Sequence, residues 1–135
     1  GCFDLLHAGH LALLERGRAL GDVLVVARNS DVSVRRLKGE GRPVTGERER
    51  CRMLAALGCV DHVVAFDDDT ATEVVRRVRP HVLVRGDDGR RHLPEGPAVR
   101  AAGGRVVLVP LLGGASTSCI IRRIADRRPA AVGGA

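Results

Sequence analysis

Short apolar runs rich in valine alternate with helical patterns along the chain, and this alternation constrains the fold more than any other feature. The runs share a high valine content and lie at 23–27, 63–66, 82–84 and 106–109. The helical patterns carry apolar residues at three- and four-residue spacing and lie at 11–20, 47–57, 72–78 and 116–125. Valine-rich runs of this length are typical of parallel strands covered on both faces. The sequence therefore predicts an open, doubly wound α/β sheet of parallel strands, with ligands at their carboxyl ends.

The length of 135 residues is the usual size of one domain, and we predict that this domain covers residues 1–128. The closing segment 129–135 is rich in glycine and alanine, and we expect it to be disordered. At the other end, Gly1 opens a loop that leads into a helix. A strand should precede such a loop, so we expect that a first strand lies upstream of Gly1 and is missing from this chain.

The apolar runs and the cysteines indicate in which cellular compartment the protein is found. No apolar run approaches the roughly 18 residues that cross a bilayer, and no signal segment opens the sequence. We therefore predict a soluble, cytoplasmic protein with no membrane partner. The four cysteines contain no C-x-x-C pair, which favours reduced thiols over a zinc site or a disulfide framework.

The net charge of +6 indicates an anionic partner, which could be nucleic acid, a membrane surface or a small phosphorylated substrate. Lys38 is the only lysine, and Phe3 and Phe66 are the only residues among Phe, Tyr and Trp. The aromatic platform on which single-stranded bases stack is therefore absent, and we predict no nucleic-acid partner. The alternative is polyanion binding by the basic surface, which would depend steeply on salt.

Two imidazoles, those of His7 and His10, lie three residues apart on one face of the helix predicted to begin there. Gly9 between them lacks a Cβ, so a phosphate can approach the backbone, and the free amides of the first helical turn favour its negative charge. The alternative is that His7 caps the helix and His10 packs against the sheet. Together with Gly9 and the preceding Phe3 and Asp4, the pair favours an anion site.

The segment 1–10, GCFDLLHAGH, resembles the signature of the cytidylyltransferase-like superfamily, whose members carry H-x-G-H after the first strand of a Rossmann-like nucleotidyltransferase fold. The later motifs are similar to those of the adenylyltransferase domain of ADP-heptose synthase, which acts on D-glycero-β-D-manno-heptose 1-phosphate. These motifs are NSD at 29–31, RLKG at 36–39, RPV at 42–44, ER at 49–50, GASTS at 114–118 and II at 120–121. The resemblance extends from Gly1 to about Ile124.

The resemblance implies transfer of an adenylyl group from ATP to a sugar 1-phosphate, with pyrophosphate as the leaving group. The acceptor oxygen would attack the α-phosphorus in line, so no protein nucleophile is required. His7 and His10 would donate hydrogen bonds to the α-phosphate and the bridging oxygen. Lys38 would neutralise phosphate charge from a loop after the second strand. Mg²⁺ is expected through the triphosphate itself, with no protein residue assigned as a metal ligand.

Further residues are assigned to the nucleotide site. Ser116 and Thr117 begin the last predicted helix, where hydroxyls and free amides suit phosphate oxygens or form a plain N-cap, and both interpretations can hold. Phe3, four residues before His7, and Gly9, between the two histidines, are assigned to the nucleotide site as well. Asp4 is expected to fix a loop or to act as an indirect metal partner, rather than to serve as a catalytic base.

Arg50 is the last residue assigned to the nucleotide site. In the family it would help to shape the nucleotide end of the pocket, together with Glu49. The alternative is that the two residues form an exposed ion pair.

One loop departs from the family pattern. Where the family commonly has Lys-Gly-Gly-Asp-Tyr after the fourth strand, residues 85–89 read Arg-Gly-Asp-Asp-Gly. Arginine keeps the charge but changes the geometry, and Asp87 adds negative charge beside the expected phosphate site. Binding of the sugar phosphate is therefore the step that this loop affects.

Two other functions remain open. A cytidylyltransferase for glycerol 3-phosphate or a similar alditol phosphate typically has an arginine at the start of its last motif, where this chain has Leu111. A non-catalytic nucleotide-binding module is the second alternative. For partners, the resemblance implies a small-molecule sugar phosphate and a fused or separate sugar kinase, and a homodimer is a further expectation.

Overall fold

Helices and strands alternate along the chain in the computed structural model, which describes residues 1–127. In chain order the elements are α1 (Ala8–Ala19), β1 (Val25–Asn29), α2 (Asp31–Lys38), α3 (Glu47–Ala55), β2 (His62–Phe66), α4 (Thr72–Val78), β3 (Val82–Asp87), α5 (Gly96–Ala101), β4 (Arg105–Pro110) and α6 (Thr117–Asp126). The predicted alternation is confirmed. The expectations for the end of the domain at residue 128 and for the segment 129–135 lie outside the described residues. No helix within 1–127 has the length and apolar character of a membrane span.

The strands pair in parallel. β1 pairs with β2 from Val25 opposite His62 to Asn29 opposite Phe66, and β3 pairs with β4 from Val82 opposite Arg105 to Asp87 opposite Pro110. Each parallel pair needs a crossover, and helices supply it. Within residues 1–127 the strands thus form two sheets of two strands each, rather than one continuous sheet.

Gly1 occupies the second edge of β1. Its amino group donates to the Ala27 carbonyl at 2.7 Å, and its carbonyl accepts from the Asn29 amide at 3.0 Å. This is the hydrogen-bond pattern of neighbouring parallel strands. The N-terminal segment therefore enters the molecule as a neighbour of β1.

The main core lies between α1, α3 and the β1–β2 sheet. Its buried residues are Phe3, Leu14, Val26 and Leu54, and partly buried side chains such as Leu24 and Val63 pack against them. On its other side α1 packs against β3, where a Cβ added at Gly17 would lie 3.8 Å from Val84 Cγ2. Helix α1 therefore contacts both sheets and connects them.

Phe3 has a φ of +48°, in the left-handed region that bulky residues seldom adopt. Such a conformation costs about 1–3 kcal/mol and persists only where surrounding contacts impose it. Here the buried Phe3 ring supplies those contacts. The segment that precedes α1 is thus anchored by its own aromatic side chain.

The sequence patterns did not predict helix α2. Ser30 caps it by accepting from the Ser33 amide at 3.2 Å, and Val34 is its buried apolar contact. The expectation that Lys38 lies in a loop is wrong, because Lys38 is the last residue of this helix. The pattern was missed because a helix of eight residues carries few apolar residues.

Candidate active site

The starts of two helices meet beside the N-terminal segment. The Thr117 hydroxyl, at the first position of α6, donates to the Leu5 carbonyl at 3.0 Å. A Cβ added at Gly9, in the first turn of α1, would lie 3.2 Å from the Ala115 Cβ. The amides and the positive dipole ends of α1 and α6 therefore converge, which is an arrangement that favours an anion.

His7 is the N-cap of α1. Its Nδ1 accepts hydrogen bonds from the Gly9 amide at 3.1 Å and the His10 amide at 3.4 Å. An accepting Nδ1 carries no proton, so the neutral ring bears its proton on Nε2 and can donate from there. The capping alternative for His7 is thus confirmed, and the cap itself defines which ring nitrogen is the donor.

The His7 and His10 rings stack on one another, with centroids 3.8 Å apart and planes inclined by 25°. The Phe3 ring lies 5.2 Å from His10, tilted by 46°. A Cβ on Gly9 would lie only 2.9 Å from both Nδ1 and Cε1 of His7. Gly9 is therefore required by the position of the His7 ring, a reason that the local sequence did not reveal.

Both imidazoles are neutral at pH 7. Burial lowers the pKa of His7. Burial, with the charge of His7 as a second contribution, lowers the pKa of His10 to about 4. The Nδ1 atom of His10 is buried and has no hydrogen-bond partner within residues 1–127. An unpaired buried polar atom costs about 1–3 kcal/mol, so the buried Nδ1 of His10 is a local cost to stability.

Asp4 holds the loop that follows α2. Its Oδ2 accepts from Arg42 Nε at 2.7 Å and from the Val44 amide at 2.9 Å, and its Oδ1 accepts from the Thr45 amide at 2.9 Å. Burial acts to raise the pKa of Asp4, but the hydrogen bonds from Thr45, Val44 and Arg42 outweigh it, and the pKa is lowered. This geometry agrees with the expected loop-fixing role and leaves the carboxylate ionised.

Arg50 is fully buried and joins four parts of the chain. It donates from Nη1 to the Cys2 and Asn29 carbonyls at 2.6 and 2.8 Å, and from Nε to the Thr45 carbonyl at 3.0 Å. Its Nη2 lies 2.7 Å from Asp31 Oδ1. The alternative of an exposed ion pair with Glu49 is therefore wrong. Arg50 connects the N-terminal segment, the end of β1, the 42–45 loop and the start of α2.

The hydroxyls of Ser116 and Thr117 both form hydrogen bonds within the protein. Ser116 caps α6 by accepting from the Cys119 amide at 3.0 Å, and the Thr117 hydroxyl is engaged with Leu5. The expected start of the last helix at these residues is confirmed. The backbone amides at the first positions of α6 are what this helix start offers to an anion.

Lys38 is exposed at the end of α2. The loop that follows it returns to the N-terminal segment through the contact between Arg42 and Asp4, three residues before His7. The Lys38 side chain forms no hydrogen bond or ion pair within residues 1–127, and its role in phosphate binding stays a prediction.

Strand β3 and the start of α5 contribute a residue pair that the sequence did not indicate. The expectation that residues 85–89 form a loop is wrong for 85–87, because these residues are the end of β3. Arg85 Nη1 lies 3.2 Å from Oε1 of Glu95, a buried carboxylate at the start of α5. Asp87, which departs from the family pattern, and Asp88, which matches it, both shape the loop after β3. Asp87 Oδ1 accepts from the Gly89 amide and Asp88 Oδ1 from the Arg90 amide, each at 3.0 Å. Glu95 was missed because only the tertiary fold brings it to Arg85.

Comparisons with known proteins agree on one family. Residues 1–110 match the model of the cytidylyltransferase-like family. The chain is 52% identical over 131 residues to the bifunctional protein HldE of Pelobacter propionicus, covering 94% of this chain and 26% of that protein. It is 50% identical over 127 residues to the HldE of Streptomyces coelicolor, covering 93% and 27%. The chain thus spans about a quarter of the length of these curated relatives.

A solved structure supports the fold. The lipopolysaccharide core biosynthesis protein of Thermoplasma volcanium superposes with a TM-score of 0.67 at 26% sequence identity. The superposition covers 83% of this chain and 91% of that chain.

Proposed function

This chain belongs to the cytidylyltransferase-like family, and from that premise we propose that it transfers an adenylyl group from ATP to a sugar 1-phosphate. The proposed acceptor is D-glycero-β-D-manno-heptose 1-phosphate, and the products are an ADP-sugar and pyrophosphate. The observation that carries the proposal is the stacked pair of neutral imidazoles, His7 and His10, where the starts of α1 and α6 meet. Identity of about 50% to HldE proteins supports the choice of acceptor.

The reaction needs positioning and charge stabilisation rather than a protein nucleophile. A phosphate oxygen of the acceptor forms a bond to the α-phosphorus, and the bond from that phosphorus to the bridging oxygen breaks, so that pyrophosphate leaves. We place the α-phosphate against the starts of α1 and α6. His7 donates from Nε2 to a phosphate oxygen, and His10 donates to the bridging oxygen as its charge develops.

The remaining site residues have supporting roles in this proposal. Lys38 neutralises phosphate charge, and the amides at Ser116 and Thr117 bind phosphate oxygens. Phe3 supports the His10 ring, as their separation of 5.2 Å suggests. Gly9 leaves room for the His7 ring.

Asp4 and Arg50 have an indirect role in nucleotide binding in this proposal. Asp4 holds the 42–45 loop, and Arg50 ties that loop to the end of β1, so both shape the nucleotide end of the pocket through the backbone. Mg²⁺ comes with the triphosphate oxygens. No group of three or more His, Cys, Asp or Glu side chains suited to a metal is found in residues 1–127.

Arg85 is the residue that we assign to the acceptor phosphate. It lies near the carboxyl end of β3, the edge at which ligands bind in parallel α/β sheets. The neighbouring Gly86 contacts the loop that leads into α6, because a Cβ added there would lie 2.5 Å from Leu111 Cδ2.

We extend the proposal to the whole protein. The hydrogen bonds of Gly1 along β1 support a strand before Gly1 that would unite the two sheets into one doubly wound sheet. The printed name of the HldE relatives, a bifunctional protein, supports a second activity, which we take to be a fused or separate sugar kinase. We place the protein in the cytoplasm, where ATP and sugar phosphates are available, and expect a homodimer.

The test is pyrophosphate release by the full-length natural protein. ATP is compared with CTP, and heptose 1-phosphate with glycerol 3-phosphate. We expect turnover with ATP and heptose 1-phosphate. Turnover with CTP and glycerol 3-phosphate alone would overturn the acceptor and the nucleotide together, and strong, salt-sensitive binding of duplex DNA without ATP binding would overturn the enzyme itself.

A further inference from the structure

Glu95 is a buried carboxylate that the proposed reaction does not use. Its side chain is 3% exposed, although it lies at the start of α5 beside open loops. Its Oε1 accepts from the Ala71 amide at 3.1 Å and from Arg85 Nη1 at 3.2 Å. Its Oε2 is buried and has no hydrogen-bond partner in the described part of the chain. A buried carboxylate is costly unless a cation balances it, and Arg85 is the cation in contact.

Arg85 is only partly covered by this contact. Its side chain is 45% exposed, and one nitrogen, Nη1, is the atom that meets Glu95. A guanidinium carries five N–H donors in a rigid plane, so anchoring one nitrogen orients the others without consuming them. The remaining donors face away from the buried carboxylate.

The pair lies at the edge of the sheet where ligands bind. Arg85 is two residues before the end of β3, and ligands bind at the carboxyl ends of the strands in parallel α/β sheets. Burial lowers the pKa of the Gly1 amino group to about 5, and the charges of Arg85 and Glu95 are among the neighbours that act on it. The pair therefore lies near Gly1, six residues before His7.

We infer that Glu95 is a positioning residue, which holds the Arg85 guanidinium and the start of α4 so that the free donors of Arg85 bind the phosphate of the acceptor. This inference rests on the proposed function, since that function assigns the acceptor phosphate to Arg85. It also explains why arginine stands where the family commonly has lysine. A lysine ammonium is a point charge, whereas the arginine fork can bind Glu95 and a phosphate at once.

The experiment uses steady-state kinetics of the full-length natural protein and its Glu95→Gln variant, with the KM values for acceptor and for ATP measured separately. We expect the acceptor KM to rise roughly tenfold, the equivalent of one charged hydrogen bond, while the ATP KM stays within about twofold. The matched control is Glu73→Gln, which removes an exposed carboxylate that pairs with Arg76 and Arg77 on the surface of α4. It should change neither KM.

A double substitution tests whether Glu95 acts through Arg85. In an Arg85→Lys background, Glu95→Gln should add little to the acceptor KM, because the fork that Glu95 orients is already gone. An unchanged acceptor KM in Glu95→Gln, or an equal rise in both KM values, would show that Glu95 only stabilises the fold. Either result would overturn the inference. Should Glu95→Gln fail to fold, Glu95→Asp keeps the charge but shortens the side chain, and the same selective rise in acceptor KM is expected.

A binding measurement separates this inference from the proposed function. Inorganic phosphate is titrated into wild type and Glu95→Gln while the Arg85 Nε–H signal is followed by NMR. We expect a saturable shift in wild type and a weaker one in Glu95→Gln. If the wild type makes no ADP-sugar but shows this difference, the proposed function fails and the inference stands as an anion site. Equal shifts in both proteins, or none in wild type, overturn the inference even if turnover is found.

Discussion

The rings of His7 and His10 stack with centroids 3.8 Å apart, and the backbone amides of Gly9 and His10 both donate to Nδ1 of His7. The same hydrogen bonds that cap α1 thus direct the Nε2 proton of His7 away from the helix. A helix cap and a free N–H donor are therefore combined in one side chain.

Replacing His10 should remove turnover but keep the fold. A donor aimed at charge that develops in the transition state contributes about 10²–10³-fold in kcat, so we expect His10→Ala to lower kcat by at least about 100-fold. Pyrophosphate release measures kcat, and circular dichroism checks the fold. The control is His62→Ala, because His62 is an exposed histidine at the start of β2. Equal activity of the two variants would remove His10 from the mechanism.

The stability of the protein should fall with acidity between about pH 6.5 and 4. The pKa of His10 is 6.5 in an unfolded chain and about 4 in the folded protein, so the unfolded state binds the proton more tightly in this window. The contribution of neutral His10 is complete above pH 6.5 and is lost as the pH falls toward 4. Urea denaturation at pH 7.5, 6 and 5 measures the slope. Removing His10 should flatten it, and an unchanged slope in His10→Ala would contradict the assignment.

Substitution of Asp4 should be strongly destabilising although Asp4 does no chemistry. Asp4→Asn removes the charge and replaces one accepting oxygen by a donor, which breaks contacts with Arg42, Val44 or Thr45. We expect a loss of about 3 kcal/mol in the free energy of unfolding, measured by urea denaturation. The matched control is Asp69→Asn, whose exposed pair with Arg36 should be worth less than about 1 kcal/mol. A loss as small as that of the control would show that Asp4 does not hold the loop.

Gly9→Ala should lower activity although alanine favours helices. The change gains up to about 1 kcal/mol in helix propensity. The new Cβ would, however, lie 2.9 Å from the His7 ring and displace it from its cap. We expect kcat to fall at least about tenfold, with a smaller change in the melting temperature. The control is Gly58→Ala, where a Cβ meets nothing within 4 Å. Full activity of Gly9→Ala would mean that His7 can move without consequence.

Much of the site could be predicted because its signals are local in sequence. The predicted membership of the cytidylyltransferase-like superfamily is confirmed by the family match, and the chain is about 50% identical to HldE proteins. The histidine pair with Gly9 lies within four consecutive residues, and the start of α6 was read from Ser116 and Thr117. Such features depend on spacing within one turn of helix, which the sequence displays directly.

The residues whose surroundings were missed are those with distant partners. Asp4 meets Arg42 from 38 positions away, and Arg50 reaches Cys2 from 48 positions away. Lys38 was placed in a loop because the short helix α2 depends on Ser30 and on burial of Val34 against the sheet. Contacts of this kind depend on how the elements pack, and no local period records them.

The alternation of strands and helices, the pair of imidazoles around Gly9 and the family of the chain could all be predicted from the amino-acid sequence. The three-dimensional packing was needed to show that Arg50 is buried and joins distant segments, that Asp4 accepts hydrogen bonds from the 42–45 loop, and that Glu95 contacts Arg85. Periodicity and capping act within a few residues and are therefore visible in the sequence. The partner of a buried charge, by contrast, is selected by the packing of elements that are far apart in the chain.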